Sequence, residues 1–153
     1  MNYVIIGGGV AGLGCVEGIR SVDTEGAITL ITEEMHPPYS RPGISYWLSG
    51  KLTDSGMPLR EKDFYDSLKV IVKTGATAVG IDTKKNFVTL ENGETVPYDR
   101  LLIATGGVPI FPPITGTDGA PDPDRRIFTF TTYRDAKEIL TRKDAIQKAV
   151  VIG

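Results

Sequence analysis

Apolar positions in the first part of the chain fall into short continuous runs, whereas those in the middle alternate with polar positions. Val4–Ile6 is the first continuous run, and residues 27–32 form the second. Short β-branched runs of this kind are typical of strands buried on both faces, as in a parallel sheet. Between them, residues 12–22 carry apolar side chains on two adjacent helical faces, which predicts a buried crossover helix.

The middle of the chain predicts a small antiparallel meander attached to this parallel sheet. A short helix over 62–68 and a short strand over 70–72 come first. Alternating strands are then predicted at 76–82, 87–90 and 95–96, with Glu91-Asn92-Gly93-Glu94 as a hairpin turn. A further buried strand begins at Tyr98 and ends in Ala104-Thr105-Gly106-Gly107. In open α/β sheets, ligands bind at such carboxyl ends of strands.

The remaining segments are irregular or helical. Prolines extend the loop 35–43, and Ser40 is a candidate N-cap for a helix that ends at 47 or 48. Residues 109–124 are rich in proline and glycine and predict a linker. A helix capped by Thr131 or Thr132 is expected to reach about residue 143.

The last five residues have the same character as residues 3–7, namely an apolar run that enters a glycine. This repetition predicts that a second dinucleotide-binding unit begins there and that the chain is the N-terminal piece of a longer protein. The alternative is a short terminal strand that completes a sheet. The predicted organisation is therefore a first domain over 1–108, a linker and helix over 109–148, and the first strand of a second domain over 149–153.

The first strand leads into the spacing Gly7-x-Gly9-x-x-Gly12, which is the dinucleotide-binding fingerprint. Gly7 is expected to allow a tight turn, Gly9 to let a pyrophosphate approach the backbone, and Gly12 to let the helix pack against the strand. The helix N-terminus then offers unpaired N–H groups to the phosphates. Glu33 follows the second strand, about 20 residues on, where a carboxylate accepts a hydrogen bond from a ribose hydroxyl. The competing interpretation is an ordinary glycine turn.

Composition narrows the function further. The net charge is −2 and the basic residues are scattered, so no nucleic-acid footprint is present. No apolar run is long enough to span a membrane, and the N-terminus lacks the positive region of a signal peptide, so a cytoplasmic location is the default. One cysteine and one histidine leave no cluster for a zinc or iron–sulfur site. Cys15 fits a small core residue better than a reactive thiol.

These motifs together resemble the pyridine nucleotide–disulfide oxidoreductase family of flavoproteins with two dinucleotide-binding domains. The resemblance rests on the glycine fingerprint, on the acid after the second strand and on three further stretches: Pro38-Tyr39-Ser40-Arg41-Pro42, the run from Tyr98 to Gly106, and the second strand and glycine at the end. Within the family, Pro-Tyr-Ser-Arg-Pro is most similar to rubredoxin and ferredoxin reductases and to the flavoprotein part of NAD(P)H nitrite reductase. The implied fold class is α/β, a Rossmann-like FAD/NAD(P)-binding parallel sheet with a small antiparallel β meander.

The resemblance implies FAD at the glycine fingerprint, and NAD(P)H in the domain that begins near Val150 in the full-length protein. Hydride would pass from NAD(P)H to the flavin, and electrons would then leave to a rubredoxin- or ferredoxin-like protein or a small acceptor. The implied cofactor-binding residues are Gly7, Gly9 and Gly12 on the pyrophosphate, Glu33 on the ribose, Arg41 and Pro42 on the phosphate and flavin, Val79 on the adenine through its backbone, and Ala104, Thr105 and Gly106 closing over the cofactor.

Three positions differ from the family pattern. Residues 40–50 contain no redox cysteine, Tyr46 replaces a lysine often found near the flavin, and Thr131 replaces an arginine. A thiol-based mechanism is therefore not expected in this segment, and no catalytic residue or metal ligand is assigned to this chain. A non-catalytic module that binds FAD or another adenine nucleotide is the alternative function. We also expect the isolated chain to bind FAD weakly or to form a homodimer that covers an exposed sheet edge.

Overall fold

The computed structural model describes residues 1–117, 119–122, 124 and 126–152, and these residues form two compact units. The first unit consists of Met1–Tyr39 and Pro58–Gly106, and the second of Ser40–Met57 together with the chain from Gly107 onward. These boundaries differ from the predicted first domain over 1–108, because the segment 40–57 groups with the later part of the chain. None of the helices in the described residues is long and apolar enough to cross a membrane.

A four-stranded parallel sheet forms the centre of the first unit. Its strands, in spatial order, are β3 (Val70–Thr74), β2 (Ala27–Thr32), β1 (Asn2–Ile6) and β7 (Arg100–Ile103). Ile5 of β1 lies beside Leu30 on one side and Leu102 on the other. Helix α1 (Val10–Val22) connects β1 to β2, and the short helix α3 (Phe64–Ser67) precedes β3. The predicted crossover helix and parallel sheet are confirmed.

Side-chain alternation along β1 and β2 divides the core of this unit into two layers. Ile5, Ile28 and Leu30 face the helices and pack with Val16 of α1. Val4, Ile6 and Ile31 face the opposite way, towards the antiparallel meander. Because both faces are covered, the strands read as continuous apolar runs in the sequence.

The meander consists of β4 (Ala78–Asp82), β5 (Phe87–Leu90) and β6 (Thr95–Pro97), in that order. Val88, Leu90 and Val96 are its buried side chains, and they complete the second layer of the core. The β4–β5 register shifts between Ala78 and Gly80, so a β-bulge lies at Val79. The predicted meander is therefore confirmed, with an irregularity that the alternating pattern did not indicate.

The second unit contains helices α2 (Gly43–Leu48) and α4 (Tyr133–Thr141), with a 3₁₀ turn at Asp54–Gly56. Asp54 accepts hydrogen bonds from Trp47 Nε1, at 2.9 Å, and from the Tyr133 hydroxyl. The rings of Trp47 and Tyr133 meet edge to face, with centroids 4.8 Å apart. Burial and the hydrogen bond to Asp54 raise the pKa of Tyr133 to about 12, so its hydroxyl stays protonated and donates at neutral pH.

Helix α4 begins with a capping box. Thr132 is the N-cap, and its hydroxyl accepts the Asp135 N–H at 3.1 Å. The Asp135 carboxylate in return accepts the N–H groups of Thr131 and Thr132, at 2.9 and 3.0 Å. Burial alone would raise the pKa of Asp135, but these hydrogen bonds outweigh it and hold that pKa below its ordinary value. Thr131, which replaces an arginine of the resembled family, thus supports the helix start.

Replacing Asp135 with asparagine is expected to lower the free energy of unfolding by about 1 kcal/mol at pH 7, the usual worth of a helix cap. A lowered carboxyl pKa stabilises the fold above the ordinary pKa of Asp, and this contribution is lost as the pH falls through the lowered value. The difference between Asp135→Asn and the wild type should therefore narrow below about pH 4. Urea unfolding across this range measures it. Asp144→Asn, at an exposed carboxylate, is the matched control and should change the stability by less than about 0.5 kcal/mol.

One local prediction is wrong, and the assignment of 149–153 to a second domain stays a prediction. Helix α2 begins at Gly43 after Pro42 as N-cap, so Ser40 does not cap it. Residues 149–152 belong to no strand and the side chains of Val150, Val151 and Ile152 are exposed, while Gly153 lies outside the described residues. A strand needs a neighbour to accept its backbone hydrogen bonds, and none of the described strands pairs with this segment.

Candidate dinucleotide-binding site

The strand order of the parallel sheet creates a topological switch point at β1. The chain leaves β1 towards β2 and β3 on one side, and later returns to β7 on the other. The carboxyl ends of β1 and β7 therefore carry loops that diverge from each other, and ligands of open α/β sheets bind in the crevice that results. The glycine fingerprint follows β1, and Ala104, Thr105 and Gly106 follow β7. The structure thus places two predicted parts of the site at adjacent strand ends.

Gly7 makes the turn out of β1, with a positive φ of 115°. A Cβ at this position would lie 2.1 Å from the Ala104 carbonyl oxygen, so only glycine fits between the two loops. The turn is held from both sides, because Gly7 N–H donates to Ile31 O at 2.8 Å and Ala104 N–H donates to Ile6 O at 2.7 Å. The Ala104 backbone is therefore part of the scaffold of the turn.

The space available to a Cβ differs between Gly12 and Gly9. A Cβ at Gly12 would lie 2.0 Å from the Gly7 carbonyl oxygen, so the first turn of α1 packs directly on the glycine loop. A Cβ at Gly9 would meet no atom of the described residues within 4 Å. Protein packing therefore explains why residue 12 is glycine, whereas residue 9 is open to a ligand that approaches the backbone.

The N-terminus of α1 is open to an anion. Gly9 is the N-cap and supplies no side chain, and the first turn contains no acidic residue. The first N–H groups of a helix have no partner within the helix, and they form its partially positive end. Together with the space at Gly9, these groups fit a pyrophosphate.

Glu33 lies directly after β2 with an exposed side chain. It occupies the strand end next to the glycine loop, because β2 pairs with β1. The following Glu34 is engaged differently, since its carboxylate accepts the Tyr39 hydroxyl at 3.2 Å. Glu33 is the acid that the sequence predicts as the ribose ligand, and that role stays a prediction.

The other predicted contacts divide between the two units. Val79, 59% exposed, lies in β4 where the register shifts between Ala78 and Gly80, so it is the extra residue of the bulge. Thr105 and Gly106 are exposed, and Gly106 has a positive φ of 75°. Arg41 and Pro42 belong to the second unit, where they are exposed at the start of α2. Their contacts to phosphate and flavin remain predictions.

Sequence reasoning missed two residues that shape the glycine loop. Gly8 occupies a variable position of the fingerprint, yet a Cβ there would lie 2.9 Å from Thr32 Oγ1. Thr32 is only 9% exposed and, apart from the hydroxyls of Tyr39 and Tyr133, it is the one polar side chain among the buried residues that the structure describes. The sequence signal for Gly8 was the run of three consecutive glycines, because the fingerprint requires glycine only at the first and third positions of that run.

Cys15 and Tyr46 complete the set of residues weighed from the sequence. Cys15 is partly buried beside the core layer under α1, and burial raises the pKa of its thiol. A raised pKa disfavours the nucleophilic thiolate, as expected for a core cysteine. Tyr46 is 58% exposed on α2. Among the described residues, no cluster of three metal-ligating side chains occurs.

Comparison with known proteins agrees with this geometry. The chain is 32% identical over 153 residues to the assimilatory nitrate reductase electron transfer subunit of Bacillus subtilis, a match that covers 99% of this chain and 19% of that protein. It is 33% identical to putidaredoxin reductase of Pseudomonas putida, covering 99% of this chain and 36% of that protein. The solved complex of putidaredoxin reductase with putidaredoxin superposes with a TM-score of 0.82 and 32% identity, over 92% of this chain and 34% of that one.

The chain thus spans between about a fifth and about a third of the length of these relatives. By their names, these relatives are an electron transfer subunit of a nitrate reductase and a reductase of putidaredoxin. The Rossmann-like fold class predicted from the sequence is confirmed by the structural match. The family model for pyridine nucleotide-disulphide oxidoreductases matches residues 1–153, and the chain belongs to that family.

Proposed function

We propose that this chain is the FAD-binding portion of an NAD(P)H-dependent flavin oxidoreductase that passes electrons to a protein or small-molecule acceptor. The observation that carries the proposal is the glycine loop at the switch point of the sheet. Gly7 and Gly12 are required by packing within the protein, whereas Gly9 faces open space at the uncapped N-terminus of α1. A ligand with a pyrophosphate explains that difference.

The residues of the chain bind and orient the cofactor in this proposal. The N-terminus of α1 holds the pyrophosphate, and Glu33 holds the adenosine ribose. The bulge of β4 frees the Val79 backbone for the adenine edge, while Thr105 and Gly106 extend from β7 over the cofactor. Arg41 and Pro42 supply further contacts to the phosphate and flavin portion. When bound, FAD supplies the hydride and electron chemistry, and the protein contributes binding and orientation.

The absence of a cysteine from residues 40–50 favours a reductase over a disulfide mechanism. The single cysteine of the chain, Cys15, is partly buried and its thiol pKa is raised, so it is a poor nucleophile. Electrons are therefore expected to leave the flavin directly for the acceptor. Tyr46, in place of a lysine of the resembled family, offers no point charge to the flavin.

The proposal also covers the electron acceptor, the assembly and the location. Two of them are named for putidaredoxin and rubredoxin, which supports a rubredoxin- or ferredoxin-like protein as the electron acceptor. NAD(P)H is expected to bind outside this chain, in the part of the relatives that the chain does not cover. A cytoplasmic location and a homodimer belong to the same proposal. The free edge of β7, where Ile103 is 60% exposed, is the surface that a second copy would cover.

Titration with FAD tests the proposal. We expect the purified chain to bind FAD with a perturbed flavin absorbance band, and ADP to compete because it carries the same adenosine and pyrophosphate. FMN lacks the adenosine half and should not compete. Rapid reduction of the bound flavin by NADH is not expected from this chain alone. Binding of NAD without any uptake of flavin would contradict the proposal, and flavin binding by a full-length protein that never turns over would favour a non-catalytic module.

A further inference from the structure

The side chain of Thr32 lies under the glycine loop. Residues 28, 30 and 32 of β2 share one face of the sheet by alternation, and Ile28 and Leu30 pack in the layer below α1. Thr32 is the last residue of this row, at the carboxyl end of the strand. It is 9% exposed, so the glycine loop and its neighbours cover a polar side chain that a purely structural core would fill with an apolar one.

Thr32 contacts the phosphate loop at Gly8. A Cβ at Gly8 would approach three atoms of Thr32, namely Oγ1 at 2.9 Å, Cβ at 3.1 Å and Cγ2 at 3.4 Å. The Gly8 backbone therefore rests on the threonine side chain, with no room for a larger residue. The main chain of Gly8 connects the turn at Gly7 to the helix cap at Gly9. The distance of the Gly8 backbone from the sheet therefore also fixes the positions of Gly7 and Gly9.

Thr32 also shapes the turn that carries Glu33. Its hydroxyl oxygen accepts the N–H of Glu34 at 3.2 Å, an ST turn that spans Glu33. Its carbonyl oxygen accepts the N–H of Ala76 at 3.0 Å, which anchors the turn to the chain after β3. Glu33 is exposed in the middle of this fixed turn. The side chain of Thr32 thus contacts the glycine loop at Gly8 and also holds the turn that contains Glu33.

We propose that Thr32 is a positioning residue that sets the distance between the pyrophosphate-binding loop and the ribose-binding carboxylate of Glu33. This inference rests on the proposed FAD site and adds a determinant that the glycine fingerprint does not contain. The Thr32 side chain supports Gly8, with its hydroxyl oxygen nearest, and the same hydroxyl holds the turn so that Glu33 faces the ribose hydroxyl. A methyl group in place of the hydroxyl keeps a side chain of the same shape under Gly8 but releases Glu33, so recognition of the ribose weakens while the fold stays intact.

The test compares Thr32→Val with Thr32→Ser, using ADP and 2′-deoxy-ADP as competitors of FAD. Valine keeps the shape of threonine and removes the acceptor, whereas serine keeps the acceptor. We expect Thr32→Val to lower the preference for ADP over 2′-deoxy-ADP by roughly three- to tenfold, the worth of about one hydrogen bond. Thr32→Ser should retain the wild-type preference. In a Glu33→Ala background, Thr32→Val should have no further effect on this preference, because the carboxylate that it orients is absent.

An unchanged preference in Thr32→Val, with FAD still bound by the wild type, would overturn the positioning role and leave the proposed function in place. Equal losses of affinity for ADP and 2′-deoxy-ADP would assign Thr32 to the support of the phosphate loop alone and would also overturn it. Failure of the wild-type chain to bind FAD or ADP would instead refute the proposed function. Thermal unfolding of each variant without ligand separates a change in recognition from a change in fold.

Discussion

Replacing Gly12 with alanine is expected to destabilise the protein by about 3 kcal/mol, the upper end of the usual cost of overpacking. The added Cβ would lie 2.0 Å from the Gly7 carbonyl oxygen. That neighbour is backbone, and it belongs to a turn held by a hydrogen bond from Gly7 N–H to Ile31 O. Neither α1 nor the turn can shift without losing contacts with the core, so the clash lowers the free energy of unfolding.

Gly14→Ala is the matched control for this prediction. Gly14 lies on the same helix two residues later, is exposed, and would place a Cβ in open space. Alanine has a higher helix propensity than glycine, so this variant should be more stable than the wild type by about 0.5–1 kcal/mol. Urea unfolding followed by far-UV circular dichroism measures both variants. Equal stability of Gly12→Ala and Gly14→Ala would contradict the close packing of α1 on the glycine loop.

Strands in the core of the first unit were predictable because their patterns were unambiguous. The predicted limits of β2 and β5 agree with the structure, since β2 is a short run rich in β-branched residues and β5 alternates next to a recognisable hairpin turn. Thr132 was one of two candidate caps for α4, and Asp135 three residues later completes the capping box. Local sequence was sufficient in these places because burial on both faces, a hairpin turn and a capping box each leave a clear local pattern.

Other features depend on contacts between distant residues and were missed. Ser40 has the side chain of an N-cap, but α2 starts three residues later, after Pro42. Residues 149–152 have the composition of a strand but pair with none of the described strands, so their place in a second domain stays a prediction. The packing of Gly8 on Thr32 joins residues that are far apart in sequence, so no local pattern could reveal it.

The candidate site was only partly predictable from physical reasoning. Roles for the three fingerprint glycines and for Glu33 followed from spacing, and the structure supplies a steric reason for Gly7 and Gly12. Arg41 was a candidate phosphate ligand from its charge, with a surface arginine as the alternative. Val79 and Pro42 entered only through the family resemblance. The bulge at Val79 gives its backbone role a structural basis that was not visible in the sequence.

Replacing Gly9 with alanine is expected to weaken FAD binding at least tenfold, or about 1.4 kcal/mol, while leaving the fold nearly intact. No described atom lies within 4 Å of the added Cβ, and the Gly9 backbone, with φ −78° and ψ −169°, is in the extended region open to alanine. Alanine is a poorer N-cap than glycine, so a loss of stability up to about 1 kcal/mol is expected. The larger effect falls on the ligand, because the methyl group occupies the space that a pyrophosphate needs.

One comparison tests the central claim most directly. The FAD affinity and the free energy of unfolding are both measured for the wild-type chain and for Gly9→Ala. The account predicts that the wild type binds FAD, and that Gly9→Ala is folded with at least a tenfold weaker affinity. Unchanged FAD affinity in a folded Gly9→Ala variant would contradict the claim that the cofactor pyrophosphate lies against Gly9 at the N-terminus of α1.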